Sequence, residues 1–242
     1  MCLIALAHHA SDRYPLVLGA NRDEDYERTT RTAQVWEDAP DVVGGRDALY
    51  GGSWLAIARN GRFAAVTNLR GAVPKGRSRG LLVRSFVTGT ETPEAFAASI
   101  EFEHYAGFHL IAGEAGGTVV YVPSDDTPRV LDPGVYGFSN APSKEQWPKT
   151  AIAVDAMSAM LASPGDLTTD LLQFLRTPRN TGRVEEEVFI AGNRYGTRAS
   201  TVVMVSRNEI FFTEQNYTRG GAPVGALFQW SGGRPRPPTS RK

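Results

Sequence analysis

Cys2 is the one cysteine in 242 residues, and it directly follows the initiator methionine. Methionine ahead of a small residue is normally trimmed, which would leave Cys2 with a free α-amine beside its own thiol. An α-amine titrates near about pH 7.7–8.0, so it can accept the thiol proton at neutral pH. Nucleophile and general base then come from one residue. The chemistry this permits is attack on an amide or thioester carbonyl, an acyl-enzyme, and release by water. Position alone favours the plainer reading of a small buried residue opening an edge strand; the neighbours alter that balance.

Four polar residues, Asn21, Arg22, Asp23 and Glu24, follow the apolar strand PLVLGA. By themselves they predict a solvated turn. Asn68 closes the strand VTNL, Asn140 lies in SNAP, and Arg198 in GTR precedes the strand STVVMV. An asparagine at a strand end is a neutral donor suited to the charge of a tetrahedral oxyanion, although asparagine also ends strands and caps turns for purely local reasons. Arg198 is nearly as well read as a member of a surface ion pair. His8 and His9 are adjacent in an extended run and must point to opposite faces, so they cannot form a two-histidine site. His8 shares its face with Cys2, Ile4 and Leu6 and is read as structural. No Cys/His cluster has zinc spacing, so no metal is expected. Gly44-Gly45 and Gly51-Gly52 lack the lysine and the strand-to-helix setting of a phosphate loop and are read as turns. Trp36 and Trp54 are read as core residues.

The elements that must position these residues follow from periodicity. Runs of strand character cover Leu3–His8, Leu16–Ala20, Trp54–Ala58 and Phe63–Asn68, with Asn60-Gly61 as a hairpin turn. Helices are expected over Ser78–Thr88 and from Thr92-Pro93-Glu94 to about His104, the latter with Thr as cap and Pro in the first turn. Strands Phe108–Glu114, Thr118–Val122 and Val135–Ser139 come next, with Gly116-Gly117 at a hairpin position. Helices Lys149–Leu161 and Asp166–Leu175 show apolar spacings of three and four. The last strands are Ser200–Ser206, Glu209–Gln215 and Gly225–Trp230. This order suits two antiparallel sheets stacked face to face with helices outside them. Residues 1–230 read as one domain, and 231–242, basic and Pro-rich, as a disordered tail.

Composition narrows the function. Lys+Arg and Asp+Glu both total 26, so net charge is zero and bulk electrostatics favour no nucleic acid. No run of 18 apolar residues predicts a membrane span. The start has no basic region, and its apolar run is confined to Leu3–Ala7, which argues against a secretory signal. One cysteine cannot make an internal disulfide, which fits a reducing compartment and points to the cytoplasm.

MCLI at the start, GANRDE some 15 residues later, GGSWLAI, AAVTNLR, SRG, FHLIAG, YGFSNA and YGTRAST together resemble the NRDE family, the group that includes the transport and Golgi organisation protein two of animals. That family is similar to the cysteine N-terminal-nucleophile hydrolases, such as penicillin V acylase and bile salt hydrolase. The resemblance implies their α+β fold, a four-layer αββα sandwich. It implies Cys2 as nucleophile, Asp23 as the aspartate contacting amine and thiol, Asn68 as oxyanion donor, and Asn140 as the substrate-orienting asparagine. It implies Arg198 as a late-chain arginine near the nucleophile. One departure stands out: those enzymes resemble Gly-Arg-Asn-x-Asp, whereas here Ala20 follows Gly19 and the arginine is Arg22. Three functions follow as expectations. The first is an amide or thioester hydrolase acting on a small acyl substrate, without a cofactor. The second is a carrier of a hydrophobic metabolite, haem or an acyl-CoA, with His8, His9, His104 or Cys2 as candidate haem ligands. The third is a trafficking or organisation factor.

Overall fold

The computed structural model describes residues 2–73 and 76–234. The chain opens with a hairpin, β1 (Leu3–His8) and β2 (Leu16–Asp25), then builds a second sheet with β3 (Thr30–Trp36), β4 (Ala39–Asp47), β5 (Leu55–Ala58) and β6 (Arg62–Asn68). Helices α1 (Gly80–Thr88) and α2 (Pro93–Ala98) precede β7 (Phe108–Glu114), β8 (Val119–Pro123) and β9 (Arg129–Val130). The chain returns to the first sheet with β10 (Gly134–Phe138), covers it with α3 (Pro148–Leu161) and α4 (Leu167–Leu175), and completes it with β11 (Tyr195–Val205), β12 (Glu209–Tyr217) and β13 (Pro223–Gly233). The sheets run β10-β1-β2-β11-β12-β13 and β3-β4-β5-β6-β7-β8-β9.

Strand periodicity separates three cores. In β1, Ile4 and Leu6 join Leu18, Val43, Phe63, Ile111 and Phe212 between the sheets. The alternate residues Leu3, Ala5 and Ala7 pack with Met157, Leu171 and Leu175 beneath α3 and α4. On the far side of the second sheet, Ala56, Ala64 and Leu110 meet Leu82, Val83 and Phe86 of α1. Successive side chains point to opposite faces, and both faces are covered, so β1 reads as unbroken apolar sequence. The result is the expected α+β sandwich of helices, sheet, sheet and helices.

Several local expectations differ from the structure. Asn21 to Asp25 is not a turn but the continuation of β2. Its polar side chains are satisfied within the fold: Asn21 Nδ2 donates to the carbonyls of Leu175 (2.8 Å) and Val188 (2.7 Å), and its Oδ1 accepts from Ser200 Oγ (2.6 Å). Gly44-Gly45 lies inside β4. A Cβ on Gly44 would sit 2.5 Å from the Leu55 carbonyl, so glycine there permits close strand approach. The helix starting at Thr92 has the expected cap, with Ala95 N–H donating to Thr92 Oγ1 at 3.2 Å. It ends at Ala98 instead of His104, where Ser99 Oγ donates back to the Phe96 carbonyl; a short 3-10 turn, Phe102–His104, follows. The last strand is longer than expected, from Pro223 to Gly233. The rest of the anticipated tail, from 235 on, lies outside the described residues.

Candidate active site

Antiparallel pairing brings the start of β1 and the end of β2 together at one edge of the sandwich, and the end of β6 in the opposing sheet closes on them. Between them lies a cavity of about 180 Å³ whose walls include Cys2, Arg22, Asp23, Asn68 and Arg198, with Trp54 and Glu214. Five of the six residues singled out in the sequence therefore meet. Asn140 is not among the lining residues.

Cys2 is buried, and its thiol lies 3.8 Å from the Asp23 carbonyl, to which it can donate. Burial pushes the thiol pKa up and the Asp23 charge adds to the rise, while the Arg22 guanidinium opposes both. Asp23 is anchored from β11: Thr197 Oγ1 donates to its Oδ1 at 2.7 Å, and Tyr195 OH donates to its carbonyl at 3.1 Å. Met1, whose removal the nucleophile needs, lies outside the described residues.

The departure at Ala20 has a geometric answer. Residues two apart on a strand share a face. Ala20 belongs to the core between the sheets, so Arg22 faces the same space one pleat further along. The register Leu3↔Asn21, carried one step outward, sets Cys2 opposite Arg22. The Arg22 guanidinium is 3.5 Å from Glu24 and its side chain is 11% exposed.

Asn68 ends β6 and lines the cavity. Asn140 lies two residues beyond β10 and donates its Nδ2–H to the Asn68 main-chain carbonyl. Its place is behind Asn68. Arg198 lies within β11, not ahead of it, at a bulge between Thr197 and Ala199. Its Nη1 donates to the carbonyls of Asp25 (2.9 Å) and Arg28 (3.2 Å), and it stands over the Tyr26 ring.

Two buried charges escaped sequence reasoning. Lys149 is fully buried in the first turn of α3. Burial depresses its ammonium pKa, while the charges of Asp23 and Cys2 favour the protonated form. A lysine at a helix N-terminus opposes the helix dipole, which was the available signal. Glu214, on β12, accepts from Ala33 N–H (2.9 Å) and Thr201 Oγ1 (3.0 Å), and burial pushes its carboxyl up. Trp36 is a core residue as expected, and Trp54 packs against the inter-sheet core while also reaching the cavity. His8 is buried, and no histidine is among the described residues that line the cavity, where Cys2 and Tyr217 are the side chains of haem-ligating type.

Two stacked antiparallel sheets, each backed by helices, with a cysteine ahead of the first strand, make the architecture of the N-terminal-nucleophile hydrolases. The fold is similar to that of conjugated bile acid hydrolase from Clostridium perfringens. The C2A mutant matches with a TM-score of 0.58 at 12% identity, and the R18L variant with 0.55 at 11%; each match covers 95% of this chain and 92% of that one. The chain belongs to the Transport and Golgi organisation 2 family, whose model matches residues 1–219. Its relatives include the Transport and Golgi organization 2 homolog of Mus musculus, 31% identical over 86% of this chain and 88% of that protein. The Homo sapiens homolog is 30% identical over the same shares, and the Drosophila melanogaster protein 28% over 90% and 93%.

Proposed function

We propose that this protein is a cysteine N-terminal-nucleophile hydrolase that cleaves an amide or thioester bond of a small acyl substrate. The observation that carries this is the convergence of Cys2, Asp23, Arg22 and Asn68 on one cavity. After Met1 is removed, the Cys2 α-amine takes the thiol proton and Sγ attacks the substrate carbonyl carbon. The Asn68 amide donates to the oxyanion, where one such donor is worth about 2.7–4 kcal/mol. Collapse expels the amine or thiol leaving group, which takes its proton from the α-ammonium. Water, deprotonated by the same amine, then hydrolyses the acyl-cysteine. Asp23 holds the amine, and Arg22 supports the thiolate. No cofactor enters this scheme, and a lone cysteine is compatible with a reducing compartment such as the cytoplasm.

The test combines intact mass with Cys2-dependent labelling by a thiol-reactive acyl probe near pH 7, using Cys2→Ala as control. Loss of Met1 with fast labelling supports the mechanism; retention of Met1 in the purified protein sinks it. The family's description lends support to a second reading, a trafficking or organisation role on the same scaffold. Carriage of haem or an acyl-CoA is the remaining alternative.

A further inference from the structure

The Cys2 cavity holds more positive charge than its own carboxylates offset. Six arginines line it, Arg22, Arg28, Arg31, Arg46, Arg79 and Arg198, against four carboxyl groups, Asp23, Glu24, Asp47 and Glu214. Arg28 pairs with Asp47 at 2.6 Å, Arg46 with Asp38 at 2.7 Å, and Arg22 with Glu24. Arg31 forms no ion pair among the described residues but is exposed; Arg79 and Arg198 differ. Both are partly buried, and among the described residues neither forms an ion pair. Their hydrogen bonds go to main-chain carbonyls: Arg79 Nη1 to Gly107 at 3.0 Å, and Arg198 Nη1 to Asp25 and Arg28. Each has a second arginine close enough to oppose its charge, Arg28 beside Arg79 and Arg22 beside Arg198, while the Glu24 charge favours both through space and that of Asp25 favours Arg198.

The backbone next to Arg79 packs tightly. Ser53 N–H donates to the Gly80 carbonyl at 3.0 Å, and a Cβ on Gly52 would fall 2.4 Å from the Gly80 carbonyl carbon. The two glycines therefore allow the loop before α1 to dock against the strand region at Ser53. A half-buried guanidinium with no carboxylate in direct contact is costly. Its forked donors match carboxylate and phosphate oxygens.

We propose that Arg79 and Arg198 bind an anionic group, so that the acyl compound Cys2 attacks carries a carboxylate or a phosphate. This rests on the cavity being the substrate site, and its test needs no turnover. Calorimetry on the Cys2→Ala protein would compare octanoate, octyl phosphate, octylamine and octanol. The anions are expected to bind at least about 10-fold more tightly than octanol or octylamine, and added salt is expected to weaken only the anions. Tighter octyl phosphate identifies phosphate as the natural group; tighter octanoate identifies carboxylate. Arg79→Gln and Arg198→Gln should each weaken anion binding about 10- to 100-fold, the range of a charged hydrogen bond. Arg79→Lys should lose part of that, and Arg207→Gln, in an exposed turn, none. Octanol binding as well as both anions would overturn the proposal, as would folded Arg79→Gln and Arg198→Gln proteins that bind anions like their parent. If Arg79→Gln does not fold, Arg198→Gln and the salt dependence decide. Selective anion binding by a protein that shows no Cys2-dependent hydrolysis would sink the hydrolase reading alone.

Discussion

Asn140 donates its side-chain N–H to the main-chain carbonyl of Asn68 at 2.5 Å. The segment after β10 is thereby tied to the end of β6. The tie is reinforced by Thr67 Oγ1 donating to the Ser139 carbonyl (2.8 Å) and by Arg70 N–H donating to the Asn140 carbonyl (2.8 Å). The two asparagines thus divide their labour: Asn140 is spent on positioning, while Asn68 lines the cavity. Asn68→Ala is expected to lower kcat/KM for a Cys2-dependent acyl substrate by 10²–10³ (about 2.7–4 kcal/mol) with little change in Tm. Asn140→Ala is expected to cost about 1–3 kcal/mol of stability, seen as a lower melting temperature. Equal melting losses from both variants would contradict this division.

His109 sits behind that segment, with Nε2 2.7 Å from the Ala141 carbonyl and Nδ1 2.8 Å from Tyr121 OH. The arrangement fits a neutral ring that donates to the carbonyl and accepts from the tyrosine. Burial lowers the His109 pKa. The unfolded chain therefore binds the proton first as pH falls. The histidine's contribution is present above about 6.5, the unfolded value, and is lost as pH falls through the folded value. Denaturant melts from pH 7.5 to 5 should show stability declining over that interval. His109→Gln should flatten the decline, and an unchanged slope in that variant would refute the assignment.

Arg22 lowers the Cys2 thiol pKa. Arg22→Gln should move the midpoint of Cys2 alkylation by iodoacetamide to higher pH, and Arg22→Lys should restore most of the difference. A midpoint that stays put or moves to lower pH would show that Arg22 does not face the thiol.

Gly80→Ala would place a Cβ 2.9 Å from the Ser53 carbonyl oxygen. Both partners are backbone and cannot swing aside, so a loss of about 1–3 kcal/mol is expected. Thermal melts of Gly80→Ala beside Gly71→Ala would check this. Gly71 has open space, but its φ of +78° makes its own cost conformational.

A haem titration followed by absorbance separates the carrier reading. With no histidine on the cavity wall, the Soret band of added haem is expected to stay that of free haem at micromolar protein. A shift abolished by Cys2→Ala would favour haem ligation by the thiolate.

What the sequence determined by itself is local and periodic. Leu3–His8 and Phe108–Glu114 form strands with the bounds their apolar runs predict, and the Thr92-Pro93 start of α2 has the expected cap. These features depend on alternation and on neighbours three residues away, so the alternating blocks of strands and helices, and with them the sandwich, were readable, whereas β3, β4 and β9 lie where no strand was expected. The motifs also marked Cys2, Asp23 and Asn68 as candidates. Tertiary structure alone decided where polar residues go when burial and local polarity conflict. Asn21 continues a strand because carbonyls 154 and 167 residues away accept its amide. Arg198 and Glu214 are held by partners on other elements, which no local pattern encodes. Arg22 facing the Cys2 cavity in the absence of an arginine at position 20 follows from strand parity, and only the continuation of β2 through the polar segment brings that parity into effect.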